Sequence, residues 1–186
     1  MIHWTEAVQT FENEVVTIAA KAKAKRANAT KTNATRLCET LDIPHRTLPY
    51  DIGDGANSGR EVAAKLDIAE EAIFKTLVTI GASDQVYVFV IPVAGDLDLK
   101  RAAKAVGEKS MVLLPVKELF RVTGYVKGGC SPLGMKKQYP TVFDAELEQL
   151  ERVTFNAGKV GLQIQLPVER LAELIPYTVA AVSRSV

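Results

Sequence analysis

Residues 72–93 read AIFKTLVTIGASDQVYVFVIPV, two apolar runs on either side of the polar tetrad "ASDQ". Each run is strand-length and rich in β-branched and aromatic residues, so the stretch predicts a hairpin of two largely buried strands. Neither run is long enough to cross a bilayer. Upstream, "HRTLPY" (45–50) reads as a strand, the Gly/Asp/Asn-rich "DIGDGANSG" (51–59) as a loop and "REVAAKLDI" (60–68) as a helix. "TNATRLCETLD" (32–42) predicts a short helix with Leu37 and Leu41 inward and Thr32 or Asn33 as its cap. Downstream, "DLKRAAKAVG" is a helix ending at Gly107, "SMVLLP" a strand and "VKELFRVTG" a helix closed by Gly124. Strands are expected at "PTVFD", "RVTFNA", "VGLQIQL" and, last, "TVAAV", with "PVERLAELI" a proline-led helix. Helices and strands interleave, which gives an α/β or α+β fold on a mixed sheet.

At the N-terminus, Val8, Phe11, Val15, Ile18 and Ala22 recur at three- and four-residue intervals. Residues 5–27 therefore read as one amphipathic helix, and residues 1–30 as a helical extension preceding a domain over 31–186. Glu6, Glu12 and Glu14 fit neither a signal nor a transit peptide, so the expected location is the cytoplasm.

The chain has 186 residues, 47% of them hydrophobic and 24% charged, with a net charge of +1. That composition excludes wholesale disorder and allows a substantial core. The charge is unevenly placed. Six basic residues and no acid lie between Lys21 and Arg36, and between Lys100 and Lys137 only Glu108 and Glu118 oppose nine basic residues. Such asymmetry either attracts phosphate or simply solvates helix faces. Cys38 and Cys130 are far apart and show no C-x-x-C spacing, which favours free thiols over a disulfide. With His3 and His45 as the only histidines, a structural zinc would need all four Cys and His residues together, so no metal or cofactor is expected.

Three features carry possible chemistry. The stretch "GYVKGGCSPLGMKK" (124–137) places paired glycines before Cys130, Ser131 and Pro132. Its free amides could hold a carbonyl oxygen as charge develops on it, or the loop is an ordinary turn. Cys130 as a nucleophile needs an adjacent base, usually histidine, and neither histidine has a suggestive context; a packed thiol fits better. Lys75 is the one charge in an apolar strand, so it either reaches past the sheet edge to water or is held in a pocket for an anion. "FNAGKVG" (155–161) is either a plain hairpin link or a second wall of a pocket. P-loop, dinucleotide, G-x-S-x-G and H-E-x-x-H motifs are all missing.

In order along the chain, "KTNATRL", "IFKTLV", "VFVIPV", "LDLKRAAKAVG", "TGYVKGGCSPLGMKK" and "GKVGLQIQL" resemble the YbaK/EbsC family of aminoacyl-tRNA deacylases, freestanding relatives of the prolyl-tRNA synthetase editing domain. The resemblance covers about residues 31–183, and the lysine strand followed by the Gly128–Pro132 loop is its most specific part. It implies a mixed, barrel-like sheet flanked by helices and hydrolytic clearance of cysteine wrongly attached to tRNA(Pro). The implied partners are the acceptor end of aminoacyl-tRNA and prolyl-tRNA synthetase.

By the same resemblance, Lys75 anchors the terminal nucleotide and orients the ester, while Gly128 and Gly129 belong to the loop facing the scissile carbonyl. Gly129 and Cys130 would supply N–H groups to it. Tyr50, Thr76, Cys130, Ser131, Pro132, Asn156 and Gly158 are the expected substrate contacts; Asn156 stands where many members carry serine. The attacking sulfur is implied to be the substrate's own, which suits a sequence without a side-chain base. Two alternatives stay open: another mischarged tRNA such as alanyl-tRNA(Pro) as substrate, or a non-catalytic module that docks on tRNA or a synthetase.

Overall fold

The computed structural model describes residues 31–53 and 58–185, so the helix expected over 5–27 lies outside the described residues. The first half runs α1 (Asn33–Thr40), β1 (Arg46–Pro49), α2 (Gly59–Leu66), β2 (Phe74–Gly81), β3 (Val86–Pro92), β4 (Gly95–Leu97) and α3 (Leu99–Val106). The second half runs β5 (Met111–Leu113), α4 (Val116–Thr123), β6 (Thr141–Asp144), β7 (Arg152–Lys159), β8 (Leu162–Pro167), α5 (Leu171–Leu174), β9 (Thr178–Ala180) and β10 (Ser183–Ser185).

The hairpin expected at 72–93 is present as β2 and β3, antiparallel from Phe74 opposite Pro92 to Ile80 opposite Val86. It forms the middle of a five-stranded sheet of order β5-β2-β3-β6-β9, in which β3, β6 and β9 are parallel neighbours. A second, antiparallel sheet of order β1-β8-β7 meets the first at a parallel bridge between Ile73 and Thr154. The sheet is thus mixed as expected, its enclosure shared between two sheets that feed one core.

Side-chain alternation explains why β3 is apolar throughout. Val88 and Val90 join Phe74, Val78, Phe143, Phe155 and Ile164 in the main core. Tyr87, Phe89 and Ile91, on the other face, pack with Ala102 and Ala103 of α3. A strand covered on both faces has no water-facing positions, so its sequence does not alternate. Phe143 sits at the centre, with ring contacts to Phe74, Phe155 and Tyr177. Each such ring stabilises the fold by roughly 1.5–3 kcal/mol through burial.

The helices start and stop where local chemistry dictates. Thr32 caps α1 in a reciprocal capping box with Thr35, and Ser58 does the same for α2 with Glu61. The Asp98 carboxylate accepts from the Lys100 and Arg101 amides to start α3, and Gly107 ends it at φ 75°. Leu41, expected inward, is instead exposed at the α1 C-cap, and the buried positions are Ala34, Thr35 and Cys38. The single helix expected over "PVERLAELI" is a 3-10 turn, Val168–Arg170, followed by the short α5.

The chain's end also departs from expectation. "TVAAV" yields only β9, because the buried Asp144 carboxylate accepts from the Val182 and Ser183 amides and turns the chain aside. A further strand, β10, then pairs with β4, which the sequence pattern did not indicate.

Candidate active site

From Thr79 to Gly81, β2 has β5 as its second neighbour, but the Phe74–Leu77 stretch has no strand partner on that side. A cavity of about 380 Å³ lies against this stretch, a size suited to a small ligand. Its polar wall is formed by Tyr50, Lys75, Thr76, Lys127, Gly128, Cys130, Asn156 and Gln163, and the remainder is largely apolar. Among the described residues, no histidine or carboxylate lines it.

The structure thus brings Lys75, Tyr50, Thr76, Gly128, Cys130 and Asn156 to one cavity. Lys75 lies opposite Ile91 on the hairpin, with its side chain 32% exposed and Nζ 3.5 Å from Asp96 Oδ1 on β4. It is therefore held at the cavity mouth, with one face toward water.

Gly128 is exposed at φ 81°, where an L side chain is strained, and its carbonyl accepts a 2.8 Å hydrogen bond from Asn156 Nδ2. Asn156 Oδ1 accepts from the Gly158 and Lys159 amides at 2.7 and 3.0 Å, so this one side chain ties the glycine loop to the irregular end of the β7–β8 hairpin. Its polar atoms serve that link, which gives Asn156 a positioning role.

Other expected contacts are placed differently. The Gly129 N–H donates to the Val126 carbonyl at 3.0 Å and is committed to the turn, so it does not face a carbonyl as expected. No acceptor among the described residues takes the Cys130 N–H. Ser131 and Pro132 are buried beneath the loop and do not line the cavity; Ser131 Oγ accepts from the Leu133 amide. Gly158 also stands outside the wall. A Cβ there would lie 2.8 Å from Tyr125 Cε1 at a backbone φ of 92°, so the position serves packing. Gly158→Ala is expected to cost about 2–4 kcal/mol, summing left-handed backbone strain and overpacking, read as a lower urea midpoint.

Both cysteines are free and buried. Burial pushes the Cys130 thiol up to about 12, against a smaller opposing effect from its hydrogen bond with Thr123. Cys38 is likewise pushed up to about 11. A thiol in that state is a packing group. Among the described residues no group of three His, Cys, Asp or Glu side chains could hold a metal ion.

Among the described residues two side-chain polar atoms are buried without a hydrogen-bond partner, Thr76 Oγ1 and Gln163 Oε1, and both residues line this cavity. Buried polar atoms are nearly always satisfied, so the pair marks where a ligand or water completes the wall. Lys127, Gln163 and Asp96 are polar site residues that sequence patterning did not single out. In "GLQIQL" both glutamines look alike, and only the register, with Gln163 opposite Asn156, distinguishes them.

The family model for the aminoacyl-tRNA editing domain matches residues 54–174. An Enterococcus faecalis (strain ATCC 700802 / V583) protein named "Putative Cys-tRNA(Pro)/Cys-tRNA(Cys) deacylase EbsC" is 42% identical over 151 residues, 81% of this chain and 92% of its own. Among solved structures, the hypothetical protein APE2540 superposes with a TM-score of 0.73 at 24% identity, over 82% of this chain and 100% of its own. A structure described as a "putative trans-editing enzyme for prolyl tRNA synthetase" gives 0.69 at 21% identity, over 83% and 99%. These two likenesses establish the fold alone. Fold, cavity and sequence together define an aminoacyl-tRNA deacylase, an enzyme that cleaves the ester joining an amino acid to tRNA. The chain belongs to the aminoacyl-tRNA editing domain family. No described helix is long and apolar enough to cross a membrane.

Proposed function

We propose that this protein clears cysteine wrongly attached to tRNA(Pro), acting in trans, with the substrate's own thiol as nucleophile. One observation carries the proposal: Lys75 and the Gly128 loop share a cavity to whose walls the described residues bring no histidine or carboxylate. The name of the E. faecalis relative points to the same amino acid.

In the proposed step the terminal nucleotide lies against Lys75 and the ester carbonyl faces the Cys130 N–H. The cysteinyl sulfur loses its proton and attacks the ester carbon. The bond from that carbon to the ribose oxygen breaks, the ribose oxygen takes up a proton, and cysteine thiolactone leaves deacylated tRNA. Water later opens the thiolactone to cysteine. Gln163 Oε1 and Thr76 Oγ1, unpartnered and buried, suit the α-amino group, which in its protonated form brings only donors. Positioning for an intramolecular attack can lower a barrier by about 7–11 kcal/mol, and one well-placed oxyanion donor adds about 3–4 kcal/mol. A cavity of fixed dipoles supplies both without a side-chain base. Selection of tRNA(Pro) itself would fall to prolyl-tRNA synthetase as partner.

The test is hydrolysis of cysteinyl-tRNA(Pro) beside alanyl-tRNA(Pro), with the released product identified. Cysteinyl ester should be cleaved at least about tenfold faster, since only it carries the thiol. Faster alanyl release removes the thiol mechanism, and tight, salt-sensitive tRNA binding without cleavage leaves only a docking module. Cys130→Ala should keep more than about half of wild-type kcat/KM, because its thiol is a packing group. Loss of turnover in a folded Cys130→Ala protein would restore Cys130 as nucleophile.

A further inference from the structure

The mouth of the cavity continues outward as an apolar strip that nothing in the described fold covers. Leu113 and Val116 line the cavity, yet are 52% and 61% exposed. Phe120, one helical turn beyond Val116 on α4, is 59% exposed. Residues four apart on a helix sit side by side, about 5–6 Å between Cβ atoms, so Val116 and Phe120 form a ridge that leads on from the cavity wall, which Val116 shares with Leu113.

The ridge is rimmed by cations. Lys136 Nζ stands 4.8 Å from the centroid of the Phe120 ring. Lys117 and Lys127 are exposed beside it, and neither has an ion-pair partner among the described residues. Glu118 is the one acid between residues 109 and 143, and it is occupied by Arg121.

We propose that this strip seats the unpaired nucleotides that precede the esterified one at the 3′ end of tRNA. The proposal rests on the function proposed above, because it takes the cavity to hold an aminoacyl ester. A chain whose last residue occupies the cavity must leave across a neighbouring wall, and this wall offers what an unpaired nucleotide recognises. Base faces stack on Phe120 and on the Val116 and Leu113 side chains, while the lysines meet the phosphates. A protein partner would need acids to match the same rim, and the ridge's continuity with the cavity favours the nucleic acid.

The test compares wild type with Phe120→Ala on cysteinyl-tRNA(Pro) and on the cysteinyl ester of adenosine alone. Phe120→Ala is expected to raise KM for the tRNA substrate about tenfold, with kcat within about twofold, an effect confined to the substrate that carries the extra nucleotides. Lys136→Glu should reduce the salt slope for binding a fluorescein-labelled single-stranded RNA ending in CCA by about one. Unchanged KM on tRNA, or an equal rise on both substrates, overturns the proposal. So does a Phe120→Ala protein that loses only co-sedimentation with prolyl-tRNA synthetase, which would make the strip a protein dock. If wild type cleaves neither ester, the proposed function falls, while RNA anisotropy with Phe120→Ala still decides whether the strip binds unpaired nucleotides.

Discussion

Lys75→Ala is expected to lower kcat/KM on cysteinyl-tRNA(Pro) by about 10²–10³, the loss that follows removal of one preorganised electrostatic group from a site with few others. Lys75 is the cation on the stretch of β2 that lacks a second strand neighbour, held at the cavity mouth by Asp96. Because it is one-third exposed, its removal leaves no buried charge or large void, and the thermal midpoint should stay near that of wild type. Lys75→Arg should recover little. The guanidinium is a wider planar fork and would not place a compact charge at the same point. Near-normal single-turnover cleavage by folded Lys75→Ala would remove Lys75 from the chemistry and leave it as an ordinary snorkelling lysine.

Much of this fold was legible because its signals are local. Uninterrupted apolar runs marked β2 and β3, and Gly107 and Gly124 marked helix ends. Lys75 stood out for the same reason, as a charge where patterning calls for an apolar side chain.

What escaped depends on contacts between distant segments. The pairing of β10 with β4 requires Asp144 to catch the Val182 and Ser183 amides, a link across 38 and 39 residues. Gln163 becomes a site residue only through its register with Asn156, and Asp96 only because β4 brings it beside Lys75. The Gly128–Pro132 loop shows the limit most clearly. Its composition predicts available amides along its length, yet Gly129 spends its N–H on Val126, and Ser131 turns inward to Leu133. Which amide stays free is a property of the closed turn.

The largest effect expected from changing the substrate is loss of cleavage when the cysteinyl sulfur is capped as S-methylcysteinyl-tRNA(Pro). The thioether has no proton to lose and cannot close a thiolactone, while the ester, the amino group and the tRNA are unchanged. Effective molarities for well-oriented intramolecular attack reach about 10⁵–10⁸ M, against about 55 M for water, so the rate should fall by about 10³ or more even if water enters the cavity. A methyl group alone can weaken binding, but a poor fit of that size costs only about 10–200-fold and appears partly in KM. The two causes separate in single-turnover rates at saturating protein. The capped substrate should bind within about tenfold of the parent and remain uncleaved, whereas cysteinyl-tRNA(Pro) should release a thiolactone that can be trapped before water opens it. Comparable cleavage rates for the two esters would require an activated water, and among the described residues no histidine or carboxylate lines the cavity to activate it.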